Sequence, residues 1–145
     1  MAKVILISCS SKKLHHKSKV KDLYNSPLFK KSLDYSTLLK PDYVYILSAK
    51  YGLLNLDQEI KPYNETLNQM SKAQIKIWAE KVIASLNENH NLNADIFIIL
   101  AGFNYYRYLI SKLKNYTLPL SNKKLGHRLS WLNNEIMRLR KNEQN

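Results

Sequence analysis

A chain of 145 residues with 45% hydrophobic and 23% charged residues, three Gly and four Pro has the profile of one globular domain, 1–145. That profile excludes a disordered, collagen-like or repeat architecture. Twenty-three Lys and Arg against eleven Asp and Glu leave a net charge of +12, which points to a polyanionic partner.

The lone Cys9 excludes an intrachain disulfide and argues against a cysteine-based metal site. The longest apolar runs, 4–7 and 96–101, fall far short of the ~20 residues that a membrane span requires. The N-terminus lacks the long apolar core of a signal peptide, so a cytoplasmic protein without membrane association is expected.

In chain order, residues 4–8 form a short apolar run rich in β-branched side chains, the pattern of a buried strand. Residues 9–24 are polar, basic and irregular. Ser26 and Pro27 open a helix as N-cap and first turn. Leu28, Phe29, Leu33, Leu38 and Leu39 give that helix its apolar side, and Lys40-Pro41 ends it. Residues 43–48 are the second strand, and 49–70 form a long connection carrying Gly52 and Pro62. Ser71 caps a helix running to about residue 87, with Ile75, Trp78, Val82, Ile83 and Leu86 on one face. Residues 95–100 form the third strand, expected at the centre of the sheet with helices on both faces. Asn104 starts a helix to about 113. Residues 117–120 suit a short fourth strand. Leu129, Leu132, Ile136 and Leu139 space a final helix from 125 to about 141.

Strands alternating with helices imply right-handed crossovers. The expected fold class is therefore α/β: a single three-layer α/β/α domain with a mainly parallel sheet of about four strands. Ligands in such folds bind outside the carboxyl ends of the strands. That rule selects residues 8–13, 48–66 and 101–106. The charge follows a related geography: residues 1–31 carry net +7, 107–128 carry +6, and 32–106 carry −2. Uniform Lys enrichment would not leave two basic blocks around an acidic middle. Nucleic acid is the expected partner, DNA before RNA, with a merely solvated basic surface as the alternative.

Three segments carry candidate chemistry. Ser8, Ser10, Ser11, Lys12 and Lys13 follow the first strand, where hydroxyls, backbone N–H groups and ammonium groups suit a phosphate. The stretch has neither the glycines of a P-loop nor a dinucleotide fingerprint, and a plain polar turn is the alternative. Lys50, Tyr51, Gly52, Asp57 and Tyr63 lie on the long connection, with Leu53 and Leu54 as its anchors. Asp57 is either a working carboxylate or a cap for the loop's own N–H groups. Gly102, Tyr105 and their neighbours Phe103 and Arg107 place aromatic and cationic groups together, as base stacking requires, although such rings also pack against sheets. Arg128 closes the second basic block.

At these residues a family resemblance emerges. Leu6-Ile-Ser-Cys-Ser10, the run from Ile46 through Ser48-Ala-Lys-Tyr-Gly-Leu-Leu54 to Asp57, Pro62-Tyr63 and Thr66, then Leu100-Ala-Gly102 with Tyr105, then Pro119-Leu120 and Gly126-His-Arg128, resemble a small bacterial and phage family of unknown function. That family is similar to the YaaA (peroxide stress) superfamily, which shares a Ser-x-x-Tyr-Gly-Leu-Leu…Asp…Pro-Tyr pattern. The resemblance covers about residues 4–132. It implies a cytosolic, DNA-associated protein with a core like that of uracil-DNA glycosylases.

Together these readings lead to an expected nucleic-acid-binding enzyme that hydrolyses the N-glycosidic bond of a damaged or modified base. Such chemistry passes through a cationic sugar and needs a carboxylate, phosphate anchors and a pocket for the base. Asp57 is the expected catalytic carboxylate. Lys12, Lys13, Lys50 and Arg128 are the expected phosphate ligands, and Tyr51, Tyr63 and Tyr105 line the base pocket. No metal or organic cofactor is called for. A non-catalytic DNA- or RNA-binding module and an enzyme acting on free nucleotides or nucleosides are the alternatives.

Overall fold

In the computed structural model, which describes residues 1–144, strand β1 (Lys3–Ser8) runs through the middle of a five-stranded sheet. Val4, Ile5, Leu6 and Ile7 are all buried, as an apolar run without alternation demands when both sheet faces are covered. Parallel to β1 lie β3 (Tyr43–Ser48) on one side and β6 (Ile96–Leu100) on the other. Outside them are β4 (Gly52–Asn55), antiparallel to β3, and β7 (Asn115–Thr117), parallel to β6. The order is therefore β4-β3-β1-β6-β7. The mainly parallel α/β sheet expected from the sequence is present, with five strands rather than about four. β6 is an interior strand, but β1 holds the centre.

Pleating divides the core in two. Val4, Leu6, Phe97 and Ile99 share one apolar cluster with Trp78, Val82 and Leu86 of α3 (Lys72–Asn89). Ile5 and Ile7 share the other with Phe29 of α2 (Pro27–Leu38) and with Leu132 and Ile136 of α5 (Leu125–Glu143). Each such buried side chain contributes roughly 1.5–3 kcal/mol of transfer free energy. The caps read from the sequence form as polar contacts. The Ser26 hydroxyl accepts the Phe29 N–H at 3.1 Å. Ser71 and Gln74 exchange hydrogen bonds in a capping box at 3.2 and 2.9 Å.

Three stretches differ from the sequence expectation. Residues 9–24 are not irregular throughout: β2 (Ser18–Lys19) pairs with β5 (Glu59–Ile60), and α1 (Val20–Leu23) follows. The Val20 and Lys21 N–H groups donate to the Gln58 and Leu56 carbonyls, so this basic segment is stitched to the long connection. The helix expected over 104–113 is one turn, α4 (Phe103–Tyr106), then a 3₁₀ turn at Ile110–Lys112. Tyr105, Leu109 and Leu113 are buried at helical spacing nonetheless. The last strand lies at 115–117 rather than 117–120. Pro119 has no N–H to offer a ladder, which confines pairing to the residues before it. Among the described residues, no helix is long and apolar enough to cross a membrane.

Candidate functional site

The chain passes from β1 to β3 on one side and later to β6 on the other. The crevice between the carboxyl ends of β1 and β6 is thus the point where the winding reverses, the usual ligand position in open α/β sheets. A cavity of about 470 Å³ opens there. The turn after β1 supplies Ser8 through Lys13, the start of α2 supplies Ser26 and Leu28, and the turn after β6 supplies Gly102 and Tyr105. Asn64, Glu65, Thr66, Asn68 and Gln69 form another wall, and Leu125 and Arg128 reach in from the first turn of α5. A narrow annex of about 30 Å³ runs beneath Cys9 and Gly102 toward Phe29 and Leu120.

Positive charge gathers here on fixed supports. The Arg128 Nε donates to the Lys123 carbonyl at 2.8 Å, leaving the rest of the guanidinium at the cavity. At Gly102, a Cβ would have that guanidinium as its nearest neighbour, 3.8 Å away. Lys13 is half-buried, with its Nζ 4.5 Å from the centre of the Tyr63 ring and 5.7 Å from that of Tyr24. Burial lowers the Lys13 pKa, and the nearby Cys9 and Glu65 oppose that shift. No side chain caps the N-terminus of α5, so its first N–H groups add a favourable field for an anion.

Behind Lys13 lies a buried hydroxyl chain. The Ser48 hydroxyl accepts the Tyr51 N–H at 3.0 Å and donates to the Tyr63 oxygen at 2.8 Å, and the Tyr63 hydroxyl is hydrogen-bonded to that of Tyr24. Burial holds both phenols well above their ordinary titration range. The Ser48 carbonyl accepts the Trp78 indole N–H at 2.8 Å. Gly52, at φ +75°, turns the chain into β4 in a conformation that side chains disfavour. The Ser-x-x-Tyr-Gly…Pro-Tyr pattern is therefore the scaffold beneath the cavity. Across the cavity, Cys9 Sγ sits 3.5 Å from the Tyr105 hydroxyl, which accepts the Leu67 N–H at 3.4 Å. Burial, with Cys9 beside it, keeps that phenol protonated.

The family of unknown function DUF6884 matches residues 4–134, a span that contains every residue lining the cavity. The chain belongs to this family. No curated protein matches it.

Within this DUF6884 chain the structure sorts the sequence candidates. Ser8, Ser10, Ser11, Lys12, Lys13, Gly102, Tyr105 and Arg128 converge on the cavity. Tyr63 does not line it; the ring is buried, with the Lys13 ammonium over it. Lys50, Tyr51 and Gly52 line a different groove, beside Trp78 and Ile77 of α3, with Lys50 over the Tyr51 ring at 5.3 Å. Asp57 is also outside the cavity: its side chain is 78% exposed, 3.6 Å from Lys21. The reason is β4, whose antiparallel course carries the chain from Ser48 back to Tyr45. Three residues of strand move it about 10 Å from the carboxyl edge.

The carboxylate at the cavity is Glu65, which sequence reasoning passed over. Its position just after Pro62-Tyr63, two residues beyond a buried anchor, was the available signal.

Proposed function

We propose that the cavity binds a phosphorylated nucleoside and hydrolyses its N-glycosidic bond, with Glu65 as the working carboxylate. The observation that carries this reading is the composition of the cavity wall. Three cationic side chains, Lys12, Lys13 and Arg128, share it with the hydroxyls of Ser8, Ser10, Ser11, Ser26 and Thr66, and Glu65 is the one carboxylate among them. Its volume falls within the range of small-molecule sites.

In this mechanism Lys12, Lys13 and Arg128 hold the phosphate, helped by the first turn of α5. The neutral Tyr105 phenol donates to the sugar or base. As the bond to the base stretches, positive charge develops on the sugar, and the Glu65 carboxylate stabilises it and takes a proton from the attacking water. The base leaves with the bonding electron pair. Lys13 keeps its place through the Tyr63 ring, itself fixed by Ser48 and Tyr24.

Calorimetry with nucleoside monophosphates and the matching nucleosides, beside chromatography for free base, tests this reading. Arg128→Ala should weaken monophosphate binding about 10- to 100-fold, as loss of a charge-assisted contact does, without changing nucleoside binding. Glu65→Gln should bind normally and release base roughly 100- to 1000-fold more slowly. Equal affinity for nucleoside and monophosphate overturns the phosphate assignment, and intact Glu65→Gln turnover overturns the carboxylate.

A further inference from the structure

From the exposed aromatic rim of the cavity we infer that the substrate is an unpaired single strand of nucleic acid, whose neighbouring nucleotide stacks on Phe103. The inference rests on the nucleotide reading of the cavity and names the class of molecule that presents the nucleotide.

Phe103 directly follows the cavity residue Gly102, yet it does not line the cavity itself. It is 57% exposed, more than the half-buried Tyr106 and Tyr108 beside it, whereas Tyr105 of the same turn is buried. The ring is not loose. The Arg107 guanidinium lies 4.7 Å from its centre and equally close to that of Tyr108, and Tyr106 meets it edge-on at 5.7 Å. The Asn104 amide donates to the Asn68 carbonyl oxygen at 2.9 Å, tying this turn to the wall that carries Glu65. Leu125, 59% exposed, adds a second apolar surface at the cavity mouth.

A flat ring held in solvent with a guanidinium against it has the chemistry of a base-stacking platform. The four cations Lys12, Lys13, Arg107 and Arg128 supply the complementary charge for a phosphate backbone. A free mononucleotide seated in the cavity leaves Phe103 idle, so the platform serves a second nucleotide. In a duplex the faces of neighbouring bases are already covered by one another, so the occupant is unpaired.

The experiment compares three ligands by equilibrium titration: a nucleoside monophosphate, single-stranded DNA and RNA hexamers, and the duplex of the same DNA sequence. Wild type, Phe103→Ala and Phe103→Trp are titrated in parallel. The single strands should bind more tightly than the monophosphate and the duplex. Phe103→Ala should weaken single-strand binding about 10- to 100-fold, the loss of one stacked base, and leave monophosphate binding unchanged. Phe103→Trp should retain the affinity, and its added fluorescence should be quenched by the single strand. Undiminished single-strand binding by Phe103→Ala, or duplex binding as tight as single-strand binding, overturns the inference. Failure of wild type to bind monophosphates, with single-strand binding still dependent on Phe103, instead overturns the cavity reading and upholds the platform.

Discussion

Asp57 and Glu65 stand eight residues apart on one connection and differ in what surrounds them. Both are exposed, but Glu65 lines the cavity close enough to Lys13 to act on its charge, whereas Asp57 pairs at the surface with Lys21, 3.6 Å away. An exposed pair of this kind contributes about 0–1 kcal/mol. Asp57→Asn should therefore melt within that margin of wild type and release base at the wild-type rate. A Glu65→Gln-like loss of turnover in Asp57→Asn would return the catalytic role to Asp57. The sequence made Asp57 attractive because it follows a glycine turn at the ligand edge. Nothing in Gly52-Leu53-Leu54-Asn55 announces a reversing strand, since four residues are too few to display a period. Tyr63 was misread for a related cause. A tyrosine is equally suited to lining a pocket and to supporting one, and only the buried contacts to Ser48 and Tyr24 separate the two.

The elements with long, regular patterns were legible: β1, β3, β6, α2, α3 and α5 all lie where apolar spacing and caps put them. β2 and β5, of two residues each, depend on partners forty residues apart in sequence. Their pairing is a tertiary event with no local signature.

The joint between elements also carries a pH dependence. Asp95 precedes β6 and accepts the Ala2 N–H at 2.7 Å and the Asn91 N–H at 2.9 Å, so it ties the start of β1 to the end of α3. The Ala2 and Asn91 hydrogen bonds hold its carboxyl below the usual value of 3.8, with smaller help from His90 at 3.8 Å and the amino terminus. Because the folded pKa is depressed, this stabilisation is complete above the unfolded pKa and is lost as the pH falls through the folded one. Asp95→Asn should therefore lower the Tm most at roughly pH 7 and progressively less toward roughly pH 2. A Tm difference that is constant across that range would remove the charged joint.

For the whole molecule, the +12 charge and its two basic blocks led to the expectation of a polyanion met at the carboxyl edge of the sheet. The structure disperses the two basic blocks. Lys21 faces Asp57, Lys31 reaches Asn133 between α2 and α5, and Lys123 donates to the Pro119 carbonyl at 2.9 Å. Lys3 donates to the Leu39 carbonyl at 2.9 Å, at the opposite end of β1 from the cavity. Linear charge counts cannot separate these from Lys12, Lys13, Arg107 and Arg128, because folding alone decides which cations share a surface. The proposed single-strand site uses those four. With about 0.7 counterions released per phosphate neutralised on a single strand, log affinity should fall with log salt at a slope of about −3. Lys12→Ala should flatten it by about 0.7. Titration of a single strand of about 20 nucleotides, which offers more phosphates than the +12 net charge could engage, reads both values across salt concentrations. A slope near −8 would mean that the dispersed lysines engage the strand as well, and binding would then follow net charge rather than the cavity edge. A slope near zero would mean that no phosphate is held at all.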